Sequence, residues 1–266
     1  MIKIDYDDAY ANAAYIPNAD QFITDWTADA DNFRQDLLSQ GRAKLNVPYG
    51  DSERQACDWF LPSGTPKGTL VFVHGGYWLR FDRSFWSHFA KGAVEQGWQV
   101  VMPSYDLCPT VSIAQITLQI QSAVSQIAST TSGPITLAGH SAGGHLVARM
   151  GQVLPNDILQ RLKHIVPISP VGDLRDLIHT KMNDDFALTP DTAVAESPTL
   201  HARPPASVPV TVWVGGAERP VFIDQARAMA TAWDCDLWID QPLHHFNVID
   251  ALADPRSELV RRLTTG

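Results

Sequence analysis

Apolar positions along this chain fall into two alternating kinds of block. Short runs dense in β-branched residues, Thr69–Val73 and Pro134–Ala138 foremost, read as strands buried on both faces. Further strands are predicted at Gln55–Leu61, Trp98–Met102, His164–Ser169, Val208–Val214 and Cys235–Ile239. Between them the apolar residues recur every three or four positions. That spacing predicts helices over residues 18–40, Phe85–Gln96, Ser112–Ser129, His145–Leu154, Phe222–Trp233 and from Phe246 onward. In the first of these, Ile23, Trp26, Ala30, Phe33 and Leu37 form one stripe, and Asn18 with Gln21 has the arrangement of a capping box. Such a helix, lying before the first strands, packs on the core or roofs a site.

Strands alternating with helices predict an α/β fold: a mostly parallel central sheet with helices on both faces, in three layers. Residues 170–207 break the alternation, being rich in proline and charge with weak periodicity, and read as an excursion packed over the sheet edge near the site. The whole chain, 1–266, reads as a single domain with an N-terminal helical segment over 1–45.

Composition narrows the partners. A net charge of -9 argues against nucleic acid or an anionic membrane surface, both of which repel an acidic protein. Cys57, Cys108 and Cys235 are too few and scattered for a disulfide framework or a metal knuckle, and read as free thiols of a reducing compartment. The first residues, acidic and without an apolar core, do not read as a signal peptide, and no run is long enough to span a membrane. A cytoplasmic protein acting on a small molecule is expected; a homodimer is left open.

Gly139-His140-Ser141-Ala142-Gly143 carries the chemistry. It joins a buried strand to a helix, so Ser141 sits on a sharp turn with its hydroxyl raised at the sheet edge, the setting of a nucleophile elbow. The amide of Ala142, first in the helix, then points at whatever Ser141 attacks. His74-Gly75-Gly76 follows the strand Thr69–Val73, so the Gly75 and Gly76 amides can complete an oxyanion hole with Ala142, His74 itself reading as structural. A serine hydroxyl needs a base, and the chain offers His244 and His245 after the last strand. His245 is preferred because it adjoins Phe246, which anchors the next helix. Glu218 is the only carboxylate in the loop Val214–Pro220 and is the expected acid, with Asp240 as fallback and Asp224, inside a helix, less suited. Histidines 140 and 145 lack the spacing of a zinc protease motif, and no phosphate- or dinucleotide-binding loop is present, so neither a metal nor a cofactor is expected.

Taken together, His74–Trp78, Gly139–Leu146, Gly216-Ala217-Glu218 and His245-Phe246 resemble the arylformamidase (kynurenine formamidase) branch of the α/β-hydrolases, near the hormone-sensitive-lipase-like esterases. The resemblance runs from about Tyr10 to Leu252 and includes Tyr105-Asp106-Leu107, Pro109 and the Asn183 segment. It implies an α/β-hydrolase fold, a Ser141-His245-Glu218 triad and hydrolysis of an aryl formamide such as N-formylkynurenine through a formyl-enzyme. Tyr77 and Trp78 stand where lipase-like esterases usually carry a third glycine, and with His140 they are the expected substrate-binding residues. Two departures stand out: Ser169-Pro170 where many relatives have Ser-Gly, and glutamate as the acid where aspartate is common. A short-chain carboxylesterase or thioesterase is the alternative, and a non-catalytic ligand- or partner-binding protein on the same fold the reading from another class.

Overall fold

The structure, a computed structural model, describes residues 4–265. Among these, β1 (Ala43–Pro48), β2 (Ala56–Phe60), β3 (Thr69–Val73), β4 (Gln99–Pro103), β5 (Ile135–His140), β6 (Leu162–Ile168), β7 (Thr211–Gly215) and β8 (Asp236–Asp240) form one sheet. Its order is β1-β2-β4-β3-β5-β6-β7-β8. β2 runs antiparallel to both of its neighbours, β1 and β4; from β4 to β8 every pairing is parallel. The most apolar runs take the middle: every residue of β3 and β5 is buried. Their register, Val73 opposite Gly139, ends both strands at one level, so the segments that follow, His74–Trp78 and Ser141, emerge side by side. Open parallel sheets bind their ligands at this edge.

Helices α1 (Ala19–Ser39), α2 (Ile113–Thr130), α3 (Ala142–Val153), α4 (Pro220–Trp233) and α5 (Glu258–Thr265) account for most of the helical cover. An apolar cluster lies on each face of the sheet, one holding Ile116, Leu146 and Phe222, the other Trp26, Phe89 and Leu259. Trp26, Ala30 and Leu37 of the predicted stripe are buried. The capping box at its start is not formed: Asn18 is left-handed (φ 54°) and makes no side-chain cap, and the Gln21 amide is drawn one turn on, to Asp25 at 2.7 Å. Ser112 and Gln115 do form such a box, at the head of α2.

Three elements differ from the periodicity. β1, which begins inside the segment expected to be wholly helical, is an edge strand whose residues alternate between half-buried and exposed. Residues 83–95 open as a 3₁₀ turn, Arg83–Ala90, and become α-helical only at Lys91–Glu95. Threefold winding stacks Trp86 and Phe89 in one line, both buried against the sheet. At the C-terminal end a 3₁₀ turn, Asn247–Ala253, is parted from α5 by Pro255, which holds Asp254 extended. The excursion 170–207 consists of short helical turns tied down by a buried carboxylate. Glu196 accepts from the Thr117 hydroxyl at 2.8 Å and pairs with Arg149 at 3.4 Å, while its carbonyl takes a bond from His145 Nε2 at 2.7 Å.

Candidate active site

Two close approaches explain the glycines around Ser141. A Cβ on Gly139 would lie 2.2 Å from the Gly143 oxygen, and one on Gly143 would lie 2.0 Å from the Val73 oxygen. With both positions bare, the chain reverses from β5 into α3 within one residue. Ser141 takes the strain of that reversal, at φ 56° and ψ −115°, and its N–H is held by the Ile168 carbonyl at 2.8 Å. The Ala142 amide opens α3 and so has no intrahelical partner.

The neighbouring loop is strained in the same way. Gly76, Tyr77 and Trp78 all have positive φ, at 110°, 53° and 56°, and the N–H groups of Leu79 and Arg80 close the turn on the Gly76 carbonyl. His74 anchors its start. The ring stacks on Tyr105 at 4.4 Å, Nδ1 donates to the Gly75 carbonyl at 2.8 Å, and the Tyr105 hydroxyl donates to the His74 carbonyl at 2.9 Å. Burial lowers the pKa of His74 to about 4, so it is a neutral prop. That turn parts the two aromatic residues. Tyr77 lines the cavity at the sheet edge, its hydroxyl donating to the Tyr10 carbonyl at 2.6 Å. Trp78 does not line the cavity: it is wholly buried behind the loop, edge-on to His145 and Phe186, which removes it from the substrate-binding set expected from sequence.

His245, which lines the same cavity as Ser141, meets Glu218. The imidazole Nδ1 donates to Glu218 Oε2 at 2.6 Å, with both side chains buried. The other carboxylate oxygen accepts the Gly215 N–H at 2.8 Å and the hydroxyl of Ser169. Ser169, left-handed at φ 48° at the end of β6, is a residue that sequence reasoning noted only for its neighbour Pro170. His244 does other work: its Nδ1 accepts the N–H groups of Phe246 and Asn247 at 3.2 and 3.3 Å, fixing the turn that follows. Asp240 sits at the end of β8, where its carbonyl braces the loop through Gly216 and Leu243. Asp224, exposed, pairs with Arg227 at 3.9 Å.

A cavity of about 410 Å³ opens above Ser141, His140 and His245. Trp26, Tyr77, Trp86 and Phe246 give it aromatic walls, and Met182 is the point where the excursion reaches it. α1 thus contributes a wall through Trp26. Another part of the cavity lining comes from a stretch the periodicity did not single out, including Asp7, Tyr10 and Asn12. Arg219, next to the acid, ties this stretch down: its Nη2 donates to the Asp8 carboxylate at 2.7 Å, and the guanidinium lies 3.6 Å from the centre of the Tyr15 ring. Among the described residues, no group of three or more His, Cys, Asp or Glu side chains is placed to hold a metal, and no helix is long and apolar enough to cross a membrane.

A serine on a strand-to-helix turn of a mostly parallel sheet, sharing its cavity with a histidine that is bound to a buried carboxylate, defines a hydrolase of the amidase or esterase kind. The sequence profile of the alpha/beta hydrolase fold matches residues 70–236, and the chain belongs to that family. It is similar to the kynurenine formamidase of Drosophila melanogaster, 30% identical over 250 residues covering 84% of this chain and 81% of that protein. The kynurenine formamidase of Danio rerio is 28% identical over 236 residues, covering 82% and 80%. Among solved structures, a candidate thioesterase from Silicibacter sp. TM1040 superposes with a TM-score of 0.95 at 54% identity, covering 99% of this chain and 100% of that one. Esterase B of Lactobacillus rhamnosis shares the fold, with a TM-score of 0.64 at 18% identity over 85% and 90%.

Proposed function

We propose that the protein hydrolyses an aryl formamide such as N-formylkynurenine through a Ser141-His245-Glu218 triad. His245, oriented by Glu218, takes the Ser141 proton as the hydroxyl attacks the formyl carbon. The amides of Gly75, Gly76 and Ala142 receive the oxyanion; a donor of this kind is typically worth ~3 kcal/mol in the transition state. Protonated His245 gives its proton to the departing arylamine, and the formyl group remains on Ser141. Water, deprotonated by the same histidine, then releases formate and restores the serine.

The 2.6 Å contact between Glu218 and His245, the latter lining the same cavity as Ser141, is the observation that carries this reading. The relatives called kynurenine formamidase support the formamide, and so does the cavity. Its 410 Å³ far exceeds what a formyl group needs, and its aromatic walls suit an aryl leaving group. Steady-state hydrolysis of N-formylkynurenine beside p-nitrophenyl acetate, butyrate and octanoate tests it. The proposal expects kcat/KM for the formamide to exceed that for every ester by well over about tenfold, and ester rates to fall with chain length. A short-acyl esterase or thioesterase is the second reading, favoured by the 54% identical structure described as a candidate thioesterase. Ester turnover without formamide turnover would select it.

A further inference from the structure

His140, the residue before Ser141, closes β5 with its ring buried under the site. Its Nε2 lies 2.9 Å from the main-chain carbonyl oxygen of His245, a residue 105 positions away along the chain. A carbonyl oxygen can only accept, so Nε2 carries the proton and donates. Nδ1 is therefore bare, turned toward Gly75, where a Cβ would stand 3.2 Å from it. Among the described residues Nδ1 has no partner. The two imidazoles lie 4.7 Å apart, and Phe222 also packs on the His245 ring, at 4.4 Å.

Each end of His245 is thus fixed by a different group. Glu218 holds the imidazole at Nδ1, and His140 holds the main chain. The loop carrying His245 has a further tie to the loop that follows β7, through the Ala217 N–H to the Leu243 carbonyl at 2.9 Å, but the bond from His140 is a direct one to the strand that delivers Ser141.

We propose that His140 is a positioning residue, a clamp that holds the main chain of His245 to the nucleophile strand and so fixes the distance between base and serine. The inference rests on the triad proposed above. A displacement of about 1 Å in such a pair can cost on the order of a hundredfold in rate, so one well-placed bond between the two segments matters for catalysis. A histidine suits the position because it donates without a charge. His245 becomes an imidazolium during turnover, and a cationic neighbour at 4.7 Å would oppose that step. Burial keeps His140 far less basic than an ordinary histidine, so it stays neutral.

Three variants test the clamp: His140→Gln, whose amide nitrogen reaches about as far as Nε2; His140→Asn, polar but too short; and His140→Leu, with no donor. Each is assayed on p-nitrophenyl acetate and for the rate of fluorophosphonate labelling of Ser141, with thermal unfolding as the fold control. Leu and Asn are expected to lower kcat and the labelling rate by about tenfold or more with KM within about twofold, and Gln to stay within about threefold of the wild type. The Asn variant keeps the test alive should Leu fail to fold. Wild-type kcat in the Asn or Leu variant would overturn the clamp; so would a Gln variant as slow as they are, or a loss confined to KM. Ser141→Ala and His245→Ala controls separate the two claims. Activity surviving in them overturns the triad itself, whereas inactive controls beside a fully active His140→Leu overturn the clamp alone.

Discussion

Glu218→Gln is the most informative single change, because both carboxylate oxygens are committed. Oε2 takes His245 Nδ1–H at 2.6 Å; Oε1 takes the Gly215 N–H at 2.8 Å together with the Ser169 hydroxyl. Glutamine has one oxygen for these demands. With that oxygen on Gly215, its NH₂ faces His245 and is satisfied only by a bare Nδ1, which moves the imidazole proton to Nε2 and removes the base. Turned the other way, the NH₂ meets the Gly215 N–H, and buried donors are left unpaired at ~1–3 kcal/mol each. The first arrangement prevails, and the histidine is held in the wrong tautomer. Where the acid of such a triad has been changed to its amide elsewhere, kcat falls by about 10⁴, or ~5 kcal/mol of barrier. The expected result on p-nitrophenyl acetate is a loss of about 10³- to 10⁴-fold in kcat with KM little changed, at nearly wild-type thermal stability. A folded variant whose kcat stays within about tenfold of wild type would refute the assignment of Glu218 as the orienting acid.

Other expectations follow from neighbouring contacts. Ser169→Ala withdraws a hydroxyl from the Glu218 carboxylate; a bond to a charged group is worth ~1.5–3 kcal/mol, so kcat should fall about ten- to hundredfold while KM holds, and an unchanged kcat would make that hydroxyl a bystander. Arg219→Ala releases the stretch of cavity lining near Asp8 from its tie, and KM for an aryl formamide should rise severalfold with little change in kcat; equal KM values would show that this stretch does not shape substrate binding. Stability should depend on acid in a definite direction. His74 and His145 are buried and held at about 4, below the ordinary 6.5, so the unfolded chain binds protons that the folded one does not. Their contribution is complete above pH 6.5 and is lost as pH falls from there toward 4, at up to ~1.4 kcal/mol per pH unit for each histidine. Denaturant melts at pH 7, 6, 5 and 4 measure this, and a flat profile would contradict it.

How much of this was legible in the sequence depended on what kind of force holds each part. The central strands were plain because burial on both faces demands continuous apolar runs, as in Thr69–Val73. Glycines 139 and 143 were plain for a steric reason that leaves no other residue room. The edge strand Ala43–Pro48 was not, since an edge needs only weak alternation. Nor did periodicity separate a 3₁₀ turn from an α-helix at Arg83–Ala90, where residues three apart share a face in either form. Adjacent positions 77 and 78 looked equivalent, yet left-handed backbone at both sends Tyr77 to the cavity and Trp78 behind the loop. The part of the cavity lining around Tyr10 and Asn12 has no periodic signal; it is held by hydroxyl and guanidinium contacts to Tyr77, Gln225 and Arg219, visible only once the chain is folded.

The most direct test of the central claim is to mix the enzyme with N-formylkynurenine, quench with acid during turnover and look by peptide mass spectrometry for a formyl group on Ser141. The account expects that adduct on the Ser141 peptide of the wild type, and neither adduct nor formate release from Ser141→Ala. Formate released at an undiminished rate by Ser141→Ala would contradict it.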